Sequence, residues 1–248
     1  MSTIQEQIDK YVWYHKIKID DQHSTPGDDR IHFNEDLFYH YNYINWEGKK
    51  VLDIGCRDGK HSLEAERRGA GEIIAEDTCV SKGSTEFLLP HLNSKITMRY
   101  GSVYSIPDKY DIIVFAGVLY HLRYPFIAMR EISNALDDDG MLLLETAVWN
   151  NTDPMSLLWC PTMTESPYET SSVTFYNYKG IKDNFAMFDL WMEGKFVPDP
   201  SNDGHIGRTT ARFRKKASQN PKVKGLRSYW EGNSHRFHHK TKEEQEKV

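Results

Sequence analysis

Between Val51 and Gly59 the chain reads Val-Leu-Asp-Ile-Gly-Cys-Arg-Asp-Gly, and this order of residue types implies a ligand-holding turn. A short apolar run carries an acid, a glycine follows it, and a second glycine stands where a helix would open. In an open α/β sheet, ligands gather outside the carboxyl ends of the strands, so the first strand-to-helix turn sets the kind of nucleotide held there. Gly55 lets the backbone pass close to a ligand, and Gly59 releases the chain into the helix. A dinucleotide site would space its glycines as GxGxxG, with one against the pyrophosphate. The spacing Asp53-x-Gly55-x-x-x-Gly59 departs from that and disfavours an NAD-dependent oxidoreductase. A wider turn with acids and Cys56 on it suits a nucleoside that carries a cationic amino group and no phosphate. Asp53 or Asp58 could accept a hydrogen bond from that amino group.

Further candidates lie at matching points along the chain. Glu76 and Asp77 stand 21 and 22 residues after Gly55, where an acid would meet ribose hydroxyls. Asp77, at the expected strand end, is the first choice and Glu76 the alternate; either could instead cap the next helix. Ser102 and Val103, after a third strand, are placed for an adenine ring. Gly117, Tyr120 and His121 follow a fourth strand, at the edge where chemistry would occur. An imidazole with a pKa near ~6.5 could take the proton of a hydroxyl acceptor; the competing role of His121 is packing under the next helix. His15 is the second base candidate, on an N-terminal segment expected to fold over the site. Glu145, read as the end of a fifth strand, orients substrate or caps a lid. Trp149 begins an aromatic stretch that could stack on a planar acceptor or simply form the core of a lid.

These positions need a scaffold, and the patterning supplies one. Apolar runs at 51–54, 72–76, 96–100, 111–116 and 141–146 read as buried strands. Helical stretches at 60–68, 82–91 (closed near Pro90) and 126–136 separate them, and an acidic turn, Asp137 to Gly140, precedes the fifth strand. This alternation predicts an α/β, doubly wound, mostly parallel sheet. Residues 1–48 read as a helical and aromatic cap, 49–216 as the ligand-binding domain with a lid insertion at about 149–177, and 217–248 as a basic tail. A helix over 178–188 and strands over 190–197 and 208–214 complete a seven-stranded sheet.

Composition narrows the function classes. The 248 residues are 39% hydrophobic with a net charge of −5, and no run approaches the ~20 apolar residues of a membrane span. Residues 205–248 hold 12 Lys/Arg against 4 Asp/Glu. That basic segment could track phosphates or act only as a solvated tail. Three scattered cysteines and an N-terminus without a basic, apolar leader fit a reducing cytoplasm. His235, His238 and His239 lack a cysteine or carboxylate at ligand spacing, so no metal site is expected.

Together, Val51–Gly59, the phrase Gly117-Val118-Leu119-Tyr120-His121-Leu122-Arg123-Tyr124-Pro125 and Leu143-Leu144-Glu145-Thr146 carry a family resemblance. So do Trp13-Tyr14-His15, Thr25-Pro26-Gly27 and Glu64 to Ala70. Over about residues 11–215 the chain resembles the tRNA wobble-uridine methyltransferases and carboxymethyltransferases, class I enzymes dependent on S-adenosylmethionine. The resemblance implies a Rossmann-like sheet and transfer to an oxygen of a pyrimidine, 5-hydroxyuridine in tRNA. Carboxymethyl transfer in this family uses a lysine, a tyrosine and an arginine against the extra carboxylate of carboxy-S-adenosylmethionine. Tyr120 matches the tyrosine and Arg208 the arginine, but His15 stands nearest the lysine's place, beside Tyr14. That departure favours S-adenosylmethionine as donor. A small-molecule or sugar acceptor is the alternative, and a non-catalytic cofactor-binding module acting in RNA binding or assembly is a third reading. The sequence leaves the oligomeric state open.

Overall fold

A central sheet organises the chain in the computed structural model, which describes residues 3–28, 33–199 and 204–216. Helices α1 (Ile4–Ile8) and α2 (Phe33–Tyr41) precede it. Then β1 (Lys50–Ile54), α3 (Lys60–Arg67) and β2 (Glu72–Asp77) form the first crossover unit. A π-helical turn, Ser84–Leu88, runs into α4 (Leu89–His91). The helical stretch ends at His91, just after Pro90, as the sequence reading has it. Strands β3 (Thr97–Tyr100) and β4 (Tyr110–Ala116), helix α5 (Pro125–Ala135) and β5 (Leu136–Trp149) follow. After β6 (Leu158–Trp159) and β7 (Phe175–Tyr176) come α6 (Tyr178–Met187), β8 (Leu190–Pro198) and β9 (Ile206–Lys215).

The main sheet has seven strands in the order β3-β2-β1-β4-β5-β9-β8. The pairs from β3 to β5 are parallel, and β9 runs antiparallel to both of its neighbours. The predicted doubly wound, mostly parallel sheet is what the chain forms. Strand order reverses between β1 and β4, and that switch point opens the crevice at their carboxyl ends. The alternating side chains feed two cores. Leu52, Ile113, Phe115, Leu142 and Leu144 pack with α5 and α6 on one face. Val51, Ile112, Val114, Met141 and Leu143 pack with Leu37, Tyr41, Trp46 and Leu63 on the other.

Two boundaries differ from the sequence reading. Strand β5 continues three residues beyond Thr146, because Ala147, Val148 and Trp149 pair with Arg208, Gly207 and Ile206 of β9. At its start Leu136 pairs with Tyr110 but Met141 pairs with Ile112. The acidic residues 137–140 thus bulge out of the ladder, with Asp139 at φ +62°, so the expected turn is a bulge inside one long strand. The insertion after β5 includes a two-stranded sheet of β6 and β7, strands too short for periodicity to reveal. The proposed basic tail, 217–248, lies outside the described residues.

Candidate active site

A cavity of about 660 Å³ opens over the carboxyl ends of β1, β2 and β4, within the usual range for small-molecule sites. Of the residues singled out in the sequence, Tyr14, His15, Gly55, Glu76, Asp77, Ser102, Val103, Gly117, Tyr120, His121 and Arg208 line it. Asp53, Cys56, Asp58, Gly59, Glu145 and Trp149 do not. Arg57 and His61 line the cavity as well and went unnoticed in the sequence.

The glycine turn is built as its spacing demands. Gly55 has φ +75°, and a Cβ there would meet Val118 Cγ2 at 2.3 Å. Its N–H donates to the Glu76 carbonyl at 2.7 Å, tying the turn to the end of β2. Gly59, at φ +80°, is the N-cap of α3.

The acids of this turn have other work than the one expected. Asp58 is buried, and its Oδ2 accepts the backbone N–H groups of Tyr14 (2.6 Å) and His15 (2.7 Å). It anchors the N-terminal segment across the cavity and does not face a ligand's amino group. Asp53 is buried beneath α3, where it accepts the Ser62 hydroxyl at 2.6 Å. Burial raises its pKa to about 7, although the Ser62 bonds pull the other way. An acid with a folded pKa above its unfolded value of 3.8 binds more protons folded than unfolded between the two. Stability of the ligand-free protein should therefore fall as pH rises from about 4 to about 7. Asp53→Asn should flatten that slope, worth at most about 4 kcal/mol, in denaturant titrations across this range. Cys56 is buried behind the turn, and burial first, then Asp53, raises its thiol pKa.

At the β2 end, Asp77 and Glu76 are both buried. Asp77 Oδ2 accepts Arg57 N–H at 2.9 Å and Oδ1 accepts Cys79 N–H at 2.8 Å, so its carboxylate holds only backbone. Glu76 accepts the Arg99 side chain at 2.6 Å from the paired position on β3. That ion pair makes Glu76 the weaker ribose candidate. Each Asp77 oxygen accepts one backbone N–H and keeps further lone pairs.

The other end of the cavity is a charged aromatic cluster. Arg208 is buried and binds Glu145 through two bonds, Nε to Oε1 at 2.8 Å and Nη2 to Oε2 at 2.7 Å. The guanidinium lies 4.5 Å from the Tyr120 ring centroid, a cation–π contact. Its Nη1 donates to the Tyr168 hydroxyl at 3.3 Å. Glu145 is fully buried in the middle of β5, committed to Arg208, and not free at a strand end. Burial raises the Glu145 pKa and Arg208 opposes that shift. Burial also keeps the Tyr120 phenol protonated, with a pKa above the usual tyrosine range. Trp149, half-buried at the end of β5, packs on Trp159 at 5.6 Å between centroids, beside Phe175.

His121 lies half-buried on a 3-10 turn, Leu119–His121, not packed beneath α5. Its Nδ1 is 3.1 Å from the Ser171 carbonyl, and Nε2 is 3.5 Å from Glu169. A carbonyl partner fixes the neutral ring's proton on Nδ1 and leaves Nε2 basic. His15 is buried with Nδ1 3.8 Å from Asp58, and burial lowers its pKa to about 4 despite that carboxylate.

The sheet order, the glycine turn and the acid closing β2 define the class of S-adenosylmethionine-dependent methyltransferases. Residues 31–190 match the family model described as a methyltransferase domain, and the chain belongs to that family. Among its relatives is a tRNA U34 carboxymethyltransferase of Campylobacter hominis, 32% identical over 119 residues, 46% of this chain and 42% of that protein. The chain thus matches less than half of that relative's length. A protein of the same name from Helicobacter pylori is 26% identical over 199 residues, covering 73% of this chain and 76% of the relative. Among solved structures, the N-terminal domain of EvdMO1 with S-adenosylhomocysteine and D-fucose superposes with a TM-score of 0.62. It is 14% identical and covers 86% of this chain and 96% of its own. A Burkholderia thailandensis 1,6-didemethyltoxoflavin-N1-methyltransferase superposes at 0.60, with 13% identity and coverages of 76% and 80%. Among the described residues, no helix is long and apolar enough to cross a membrane.

Proposed function

We propose that this methyltransferase transfers a plain methyl group from S-adenosylmethionine to an oxygen acceptor, 5-hydroxyuridine at the wobble position of tRNA. The donor choice rests on one observation: neither charge position suited to a donor carboxylate offers an uncompensated cation. Arg208 is neutralised by Glu145, and His15 is a neutral ring at physiological pH. A buried cation already matched by an acid attracts a further anion weakly. The acceptor choice follows the kinship with tRNA U34 carboxymethyltransferases across most of the chain.

The residues present fit such a cofactor: Gly55 provides the close approach, Asp77 the diol acceptor, Ser102 and Val103 the ring wall. When bound, the sulfonium makes its methyl carbon electrophilic. The protein's share is alignment and proton removal. Protonated Tyr120, fixed under Arg208, orients the acceptor as a hydrogen-bond donor. His121 Nε2 takes the hydroxyl proton, and Glu169, 3.5 Å from the same nitrogen, balances the charge that results. The bound donor would supply the methyl group to that oxygen, with S-adenosylhomocysteine as the product.

A sugar or small-molecule acceptor is the second reading, and lid contacts favour it. Val173 N–H donates to the Tyr120 carbonyl at 2.8 Å, while Tyr168 and Ser171 meet Arg208 and His121. These ties narrow the acceptor end. Incubating the protein with 5-hydroxyuridine-containing tRNA and methyl-labelled donor, then analysing nucleosides by mass spectrometry, separates the readings. A methylated 5-hydroxyuridine is expected. An unlabelled tRNA moves the acceptor to the small-molecule class, and faster transfer from carboxy-S-adenosylmethionine refutes the donor assignment.

A further inference from the structure

Three aromatic residues stand in a row on the N-terminal segment, and the fold treats them differently. Trp13 and His15 are buried, whereas Tyr14 between them is 39% exposed and lines the cavity. The backbone there is clamped from several sides. Asp58 Oδ2 accepts the N–H groups of Tyr14 and His15, and the Tyr14 carbonyl accepts the Asp28 N–H at 3.2 Å. Thr25 Oγ1 donates to the His15 carbonyl at 2.6 Å and accepts the Ile17 N–H at 2.7 Å. Gly27 lies so close that a Cβ on it would stand 1.9 Å from the His15 carbonyl carbon. A buried carboxylate given over to backbone amides thus fixes Tyr14 in place while its ring stays partly uncovered. A ring on so rigid a support loses little further freedom when a ligand covers it.

The side chain runs from the glycine turn toward the acceptor end. The Arg57 guanidinium lies over the ring at 5.1 Å from its centroid. The hydroxyl senses Arg208 and the lid residues Glu169 and Tyr168; burial raises its pKa, and the two arginines oppose the shift. Most polar groups of the acceptor end are already engaged. Arg208 is held by Glu145 and Tyr168, and His121 Nδ1 by the Ser171 carbonyl. A sugar, with hydroxyls on all sides, would leave several of them without partners there. A flat heteroaromatic ring needs few partners and gains by stacking on an aromatic side chain.

We propose that the Tyr14 ring stacks on the base of the acceptor, so that the site takes a planar heteroaromatic ring in preference to a sugar. This rests on the wobble-uridine reading above and names the residue that holds the base. The test uses the 248-residue chain with S-adenosylhomocysteine bound, and two anticodon stem-loop RNAs. One carries 5-hydroxyuridine at the wobble position, and the other is abasic there. Wild-type protein should bind the first more tightly in calorimetry. Tyr14→Leu should weaken that loop about five- to hundredfold, the range of base stacking on an aromatic residue, and leave the abasic loop within about twofold. Tyr14→Phe and Tyr14→Trp, which keep a ring, should retain most of the affinity. S-adenosylhomocysteine alone should bind Tyr14→Leu as it binds wild type. The proposal is overturned if wild type does not prefer the base-bearing loop, if Tyr14→Leu weakens both loops equally or neither, or if S-adenosylhomocysteine affinity falls in step. Methyl transfer tests the underlying reading separately. Wild-type protein that prefers the base-bearing loop yet leaves its 5-hydroxyuridine unmethylated keeps the stacking contact and defeats the reaction assigned above.

Discussion

Glu145→Ala should lower the thermal midpoint by about 10 °C, the largest loss of stability expected from one substitution near the cavity. The pair it breaks is buried on both sides, with side-chain exposures of 0% for Glu145 and 6% for Arg208. Removing one member strands the other charge away from water, at a cost of about 3–5 kcal/mol. A domain of this size loses ~2–4 °C per kcal/mol. Arg208 stays charged in the variant, because a guanidinium does not give up its proton in proteins. It therefore cannot escape the penalty by losing a proton. The double substitution Glu145→Ala/Arg208→Met removes both charges and should regain much of the loss. Differential scanning calorimetry decides: a single variant as stable as wild type, or a double variant no better than the single, means the pair contributes little.

Strong periodicity and continuous apolar runs made the sheet legible before any coordinates. Runs such as Ile112 to Phe115 must be covered on both faces, and only a parallel sheet between helices does that. The cavity's position followed from the glycine turn for the same reason. What escaped was long-range. Asp58 looked like a ligand acid because the sequence shows only that it lies on the turn. Its partners are backbone amides 43 and 44 residues earlier, and backbone donors leave no mark on residue type. Glu145 likewise seemed free at a strand end until β9 extended β5 and brought Arg208 63 residues along the chain to meet it. His61 was missed because a helical histidine has no periodic signature distinguishing core from cavity wall. A histidine in the first turn of a glycine-capped helix was the available signal.

The second large effect concerns the end of the cavity opposite Arg208. On the reading that Asp77 binds the ribose diol, Asp77→Ala should weaken S-adenosylhomocysteine by at least about a hundredfold. Two hydrogen bonds to an ionised carboxylate contribute ~1.5–3 kcal/mol each, and every 1.4 kcal/mol is tenfold in affinity. Part of the loss comes through the turn, since Asp77 also accepts the N–H of Arg57, a residue held at φ +48°. Asp77→Asn separates the two contributions: one amide oxygen can still hold the turn, while the charge and half the acceptor capacity are gone. An intermediate loss of affinity is expected for asparagine, with a modestly lower apo thermal midpoint, because its amide nitrogen cannot accept the second backbone N–H. Glu76→Gln makes the reciprocal comparison. Its carboxylate serves Arg99 across the β2–β3 pair, so that variant should lose stability and retain most of its affinity. If Glu76→Gln abolished binding while Asp77→Ala left it intact, Glu76 would be the ribose acid and the cofactor would lie one residue deeper on β2.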